Sequence, residues 1–298
     1  MAQDTNDNLK ARIRELEKEI EEREKDLSVF RRELTSANRR LEVLISEMNQ
    51  ELKVVHAIQK FIVPTEIPNI QGFDFSSKFV PSFVRGGDYF DIFEHEDRAR
   101  FGLIVASSSG HMMSALLLSV LLKFTGRLEA RRSAEPNLMI KQIAQDLKPM
   151  MTPTDSADLF YGVFDRRHFS LSYSFVGDLI ALHFDHASHE LKLLKTEPKP
   201  ITKDSSEDYK PHSVNLNPKD KLIFCTKGLV EAKNLEGQEF GRDQLFKAIL
   251  EYAGSGVHDL RNQIIFKVQK FMSGQEPPRD LTVVVAEVKD RVIKLAQK

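Results

Sequence analysis

FVPSFVRGGDYFD, residues 79–91, is the stretch on which the fold turns. Two adjacent glycines, Gly86 and Gly87, allow a tight turn. They deliver a carboxylate, Asp88, to the start of an aromatic, strand-forming run that carries a second acid, Asp91. Alone, GGDYFD is no more than a turn. Its weight comes from three segments further along the chain: SSSGHM (107–112), FCTKGLVEA (224–232) and PPRDLTVVV (277–285).

The pattern of elements along the rest of the chain is that of an α+β domain. FDFSSKFVP (73–81) alternates as a half-buried strand does. YFDIFEHE and RFGLIVAS are joined by a charged turn at residues 96–98, which predicts a hairpin. Residues 112–128 and 136–150 read as helices. LFYGVFD, FSLSYSFV, LIALHFD and ELKLLK read as a meander, and DKLIFCT as a short buried strand. Helices are predicted over 240–252 and 257–271, and LTVVVAEV closes the domain as a β-branched strand. Meandering strands mixed with helix pairs exclude a parallel doubly wound sheet.

The first 62 residues are of another kind. Ile13, Ile20, Leu27, Leu34, Leu41, Met48, Val55 and Ile62 recur every seven residues, and Leu9, Leu16, Phe30, Ala37, Leu44 and Ile58 fill the second seam position. That is an a/d heptad pattern with no proline before Pro64. At about 1.5 Å per residue the helix reaches on the order of 80 Å, too long for one globular core to hide its seam. The expectation is a parallel coiled-coil homodimer. Arg23 and Glu51 interrupt the seam. Flanking charges are mixed: Arg12 with Glu17 and Asp26 with Arg31 attract across such a dimer, while Glu19 with Glu24 repels.

Composition narrows the function. The chain has 298 residues, 43 Lys and Arg against 44 Asp and Glu, and a single cysteine, Cys225. A net charge of −1 gives no basic face for nucleic acid. One cysteine excludes an internal disulfide and fits a reducing compartment. There is no apolar leader at the N-terminus, and the longest apolar run, residues 115–124, is too short to span a bilayer. These features predict a cytoplasmic protein divided into a coiled-coil helix (1–62), a globular domain (63–290) and a short tail (291–298).

In order and spacing, HAIQKFIVP (56–64), FVPSFVRGGDYFD, SGHMMSALL (109–117), TKGLVEAKN (226–234) with FGRDQL (240–245), and RDLTVVV (279–285) resemble the PPM family of metal-dependent Ser/Thr protein phosphatases, in its bacterial SpoIIE/RsbU branch. The resemblance covers roughly residues 55 to 288. It implies two packed antiparallel β-sheets flanked by helices, and a site where aspartates hold two manganese or magnesium ions that activate a water against phosphoserine or phosphothreonine. It further implies a small anti-sigma-factor antagonist with a STAS fold as substrate, and an N-terminal helix that couples an upstream input to the phosphatase.

Carried over residue by residue, the first metal ligand matches Asp88, with Asp91 retained beside it. The other ligand positions depart from the pattern. Ser107 stands where the aspartate before x-S-G-H-G is expected, and Met112 replaces the final glycine. Lys227 stands in the Thr-Asp-Gly motif, and Arg279 is the first of what should be an Asp-Asp pair, leaving Asp280. An Ala-Gly-His motif reads Val176-Gly177-Asp178. These changes make the site about five charge units more positive, a strong repulsion for a dication at close range. The expectation is therefore a pseudophosphatase, with no cofactor and no catalytic residues, that serves as a protein-binding or scaffold module in a partner-switching pathway. Its partners would be a second copy of itself and a STAS-type antagonist, an anti-sigma factor or another signalling protein. In that case Lys227 and Arg279 replace the metals by pairing with Asp88, Asp91 or Asp280. Alternatively they form a phosphate-binding pocket, or the site remains an active phosphatase using manganese or magnesium with an altered ligand set. Three further candidates carry less. The H-x2-H-x2-H spacing of His183, His186 and His189 resembles a metal tract but sits at a turn. His111 reads as structural, and Cys225 as a core thiol.

Overall fold

The computed structural model describes residues 2–62, 64, 67–82, 86–110, 117–124, 135–206 and 208–289. The chain divides into two compact units, Met1–Val54 and Val55–Lys298. His111, Met112, part of the 112–128 helix and the 291–298 tail lie outside the described residues.

The first unit belongs to α1, a helix of 61 residues from Ala2 to Ile62. It has neither glycine nor proline, and Glu, Lys, Arg and Leu dominate it, which is what helix propensity asks for. Its seam residues Ile13, Leu16, Ile20, Leu27, Phe30, Leu34, Leu41, Leu44 and Met48 are 42–63% exposed in the single chain. Arg23, the cation in the seam, pairs along its own helix with Glu19 at 2.7 Å.

Among its described residues the second unit has ten strands in two antiparallel sheets. In one, β1 (Phe73–Val80), β10 (Leu281–Val288), β9 (Lys221–Cys225), β6 (Ile180–Asp185) and β7 (Glu190–Leu193) lie side by side in that order. In the other the order is β2 (Asp88–Glu94), β3 (Arg100–Ser109), β4 (Ser156–Asp165), β5 (Ser170–Val176), β8 (His212–Asn215). The hairpin at 88–109 forms as expected, but the expected meander does not stay in one sheet. β4 and β5 belong to the second sheet and β6 and β7 to the first, so the chain crosses between sheets at Gly177–Leu179. β8 has no clear sequence signature: four residues that alternate half-buried with exposed.

Alternation along each strand sorts the core into layers. Phe101, Leu103, Phe160 and Phe164 of the second sheet meet Phe73, Phe224 and Val284 of the first in one cluster between the sheets. Ile104, Leu159 and Tyr161 point the other way, to α2 (117–124) and α3 (Pro136–Leu147). Ile223, Cys225, Val283 and Val285 pack under α4 (Gly228–Glu231), α5 (Gly241–Tyr252) and α6 (Val257–Met272). The result is helix, sheet, sheet, helix.

Aromatic rings fix the spacing of the two sheets. Phe101 and Phe164 stack at 4.5 Å between centroids, Phe73 meets Phe164 edge-on at 5.5 Å, and Phe160 of one sheet touches Phe224 of the other at 4.6 Å. Phe164→Ala is expected to cost about 3–5 kcal/mol, read as a lower urea midpoint. A midpoint unchanged from wild type would contradict this account of the core.

Candidate functional site

Four of the segments singled out in the sequence converge at one end of the sandwich. Asp88 opens β2 and faces Ser107 across the β2–β3 ladder. Cys225 opposes Val283 in the β9–β10 ladder, so Thr226 comes level with Thr282, and its amide donates to the Thr282 carbonyl at 3.1 Å. The two ladder ends lie against each other and enclose the Asp88 side chain, which is only 6% exposed.

Both oxygens of Asp88 are occupied by hydroxyl protons. Ser107 Oγ donates to Oδ1 at 2.7 Å, and Thr226 Oγ1 and Thr282 Oγ1 each donate to Oδ2 at 2.6 Å. Ser107, which the resemblance sets where a metal-binding aspartate is expected, thus binds Asp88. Burial, and then the neighbouring Asp280 carboxylate, push the Asp88 carboxyl up to about 7, against the opposing pull of the three hydroxyls.

Asp280 has a different task. Its Oδ1 accepts the Ser82 amide at 2.7 Å, and its Oδ2 accepts the amides of Gly87 and Asp88 at 2.9 and 3.2 Å. It fastens the glycine turn that presents Asp88. Asp91 is not brought to Asp88. It lies an odd number of residues along β2, on the face it shares with Tyr89, whose hydroxyl it accepts at 3.2 Å.

Sequence reasoning pointed the two cations at Asp88, Asp91 or Asp280, and their ion pairs correct that expectation. Lys227 Nζ lies 2.9 Å from Asp158 Oδ2 and 3.9 Å from Asp178 Oδ2. Arg242 completes this group by contacting Asp178. Arg279 Nε lies 3.1 Å from Glu231 Oε2. The reason is access. The Asp88 oxygens are filled by the hydroxyls of Ser107, Thr226 and Thr282, and those of Asp280 by the amides of Ser82, Gly87 and Asp88, whereas Asp158, 4% exposed, is a buried carboxylate that requires a cation. Asp158 also accepts the Asp178 amide at 3.1 Å. Gly177 makes that approach possible: its φ is +88°, and a Cβ there would stand 2.0 Å from Asp158 Oδ1. Gly228 likewise leaves room for the Asp280 carbonyl, which a Cβ would meet at 2.0 Å.

Asp158 and Glu231 were missed as site residues. The available signal was an acid in an otherwise apolar strand, ADLFYGVF, which demands a partner. With these pairs formed, each introduced cation already holds a carboxylate.

A pair of hard divalent ions requires many oxygen ligands, mostly carboxylates. The present donor set does not fit that requirement. Asp88 contributes its carboxylate to hydroxyl protons, and among the described residues no three His, Cys, Asp or Glu side chains are grouped to hold a metal ion. The crevice between Gly86–Asp88, Ser107–Gly110 and Arg279–Asp280 measures about 10 Å³, room for about one water. His183 is engaged by Asp220 at 2.9 Å, and Asp220 also accepts the amides of His186 and Asn217, so this histidine anchors a turn. Cys225 is fully buried, and burial pushes its thiol up to about 12, as for an inert core residue.

Two facing antiparallel sheets between helix layers, with turns gathered at one end around an acid, define a PP2C-type phosphatase fold. The sequence profile of the family described as Stage II sporulation protein E (SpoIIE) matches residues 97–289, and the chain belongs to that family. The phosphoserine phosphatase RsbU of Bacillus subtilis (strain 168) is 18% identical over 228 residues, 76% of this chain and 67% of that protein. Among solved structures, the SiaA-PP2C domain of Pseudomonas aeruginosa superposes with a TM-score of 0.67 at 19% identity, covering 82% of this chain and 97% of that one. The RsbU and RsbW domains of Rv1364c from Mycobacterium tuberculosis give a TM-score of 0.62 at 17% identity, covering 76% of this chain and 63% of that one. At these identities the structural matches establish the fold alone.

The raised Asp88 carboxyl sets a pH dependence. Its folded value of about 7 exceeds the ordinary 3.8, so folding takes up a proton between these limits. Stability therefore falls as pH rises from about 4 to about 7, then levels off. Asp88→Asn is expected to flatten that decline and to be more stable than wild type at pH 8 in urea unfolding. Parallel pH profiles for the two proteins would refute the assignment.

Proposed function

We propose that this chain is a non-catalytic member of its family: a bacterial, cytoplasmic signalling regulator whose phosphatase-type domain binds protein partners without turnover. The observation that carries this is the occupation of the ligand positions. Ser107 donates a proton to Asp88 instead of offering a carboxylate to metal, and Lys227 and Arg279 are tied to Asp158 and Glu231. A metal-activated water needs oxygen ligands that balance a dication, and Ser107, Lys227 and Arg279 offer no carboxylate at their positions. What the domain keeps is its surface, held in shape by hydrogen bonds and ion pairs in place of ions.

The partner class follows from the relatives. An RsbU domain shares one chain with an RsbW domain in the mycobacterial protein, and the Bacillus relative is a phosphoserine phosphatase. Both favour a place in partner switching, with a STAS-type antagonist or an anti-sigma factor as the bound protein. No helix among the described residues is long and apolar enough to cross a membrane. The heptad seam on α1 is exposed along its described length, and a parallel coiled-coil homodimer is the arrangement that buries it. On this proposal the coil is the dimerising element (1–62) and the partner-binding domain follows it (63–290).

Hydrolysis of p-nitrophenyl phosphate in manganese is expected to stay at the level of an Asp88→Asn control. Manganese-dependent turnover that the substitution abolishes would overturn the non-catalytic proposal and leave an active phosphatase with an altered site. For the coil, Leu27→Glu combined with Leu34→Glu is expected to halve the mass in sedimentation equilibrium. A double variant that keeps the wild-type mass would show that the seam does not hold the oligomer.

A further inference from the structure

The outer face of α5 and α6 departs from the usual rule for surface helices. Both bury the expected stripe: Leu245 and Ile249 from α5, and Leu260, Ile264, Val268 and Met272 from α6. The opposite stripe should then be polar. On α6 it runs Gln263, Phe266, Lys267, Lys270, at spacings of three, four and seven residues, and Phe266 stands 57% exposed in its middle. On α5 the facing stripe is Gln244, Lys247, Ala248, Glu251. Between them lies a groove of about 720 Å³.

Its floor is apolar and preformed. Ala248 is small and buried, which gives the groove depth. Phe240 and Phe271 pack edge to face at 5.3 Å beneath it, an arrangement that holds both rings in place. Its rim is basic. Lys267 contacts Glu251 and lies 5.2 Å from the centre of the Tyr252 ring, so that pair is neutral. Lys247 and Lys270 have no carboxylate partner among the described residues, and they leave the rim with net positive charge.

We propose that this groove docks an acidic amphipathic helix of a partner protein. An apolar side chain of the visitor packs over Ala248 between Phe266 and Phe271, and carboxylates on its flanks reach Lys247 and Lys270. The α6 stripe spans about 10 Å, two turns of helix, which matches anchors at i, i+3, i+4 and i+7 in helix-in-groove recognition. A second copy of the same face is the wrong occupant: a two-fold pairing would set lysines against lysines. This surface is separate from the Asp88 site and does not depend on whether that site is catalytic.

The probe is a fluorescent helical peptide of about 16 residues, with leucines at the anchor spacing and glutamates on both flanks, titrated with the full chain. Saturable anisotropy is expected, together with a loss of affinity of about tenfold or more in Lys247→Glu/Lys270→Glu and in Phe266→Ala. These surface variants should keep the wild-type circular dichroism spectrum. A peptide with lysines in place of the glutamates should not bind. Four results would each overturn the proposal. The acidic peptide fails to saturate at about 1 mM; both peptides bind equally; affinity persists undiminished in the variants; or Phe266→Ala lowers the mass of the chain in sedimentation, which would make a second copy the occupant.

Discussion

One buried carboxylate joins the two sheets. Asp88 belongs to β2, and of the three hydroxyls that hold it, Ser107 comes from its own sheet while Thr226 and Thr282 come from the other. Such a group is unfavourable in an apolar interior unless all its acceptor positions are met. The geometry around it follows from that demand. Asp280 must hold the glycine turn so that Asp88 points inward, and the β9–β10 ladder must be in register so that the two threonines stand side by side. Gly228 must lack a side chain so that the turn after Thr226 can lie on the Asp280 carbonyl. Loss of any of these would leave a buried carboxylate short of donors.

The cations obey the same electrostatic constraint one layer out. Asp158 and Asp178 together require positive charge, which Lys227 and Arg242 supply, and Arg279 is met by Glu231 from the helix that Lys227 starts. A metal-dependent phosphatase would draw its charge balance from bound ions. Here the chain carries both signs itself, and the sheet ends are closed by fixed covalent charges. The site can change only if the partners of Asp88, Asp158 or Glu231 change.

The sequence was most legible where strands and turns carry strong local signals. The 88–109 hairpin, α5, α6 and β10 fell where periodicity placed them, because local propensity and burial agree there. The fold class was legible through motif order, since four separated turns meet only when two sheets face each other. The division of the strands between sheets was not: the crossing at Gly177–Leu179 depends on a long-range contact with Asp158. The identity of the ion partners was equally hidden. Charge alone predicted that Lys227 and Arg279 would seek acids, but Asp88 and Asp280 were already filled by hydroxyls and amides, which no spacing rule reveals.

The position of β10 has a consequence for how the chain is made. Residues 281–288 form the last strand among the described residues, yet they lie between β1 and β9, paired to β1 along their length and to β9 over 283–287. During synthesis at about 5–20 residues per second, β1 emerges first and β9 much later, and the edges they offer to β10 stay open until this strand arrives. The same segment brings Thr282 to Asp88 and follows directly on Asp280. Sheet closure and burial of the acid are therefore a single late event, driven by contacts some 200 residues apart, of the kind that slows folding. A nascent chain stalled before that point carries unpaired β-edges and an acid that lacks the Thr282 hydroxyl.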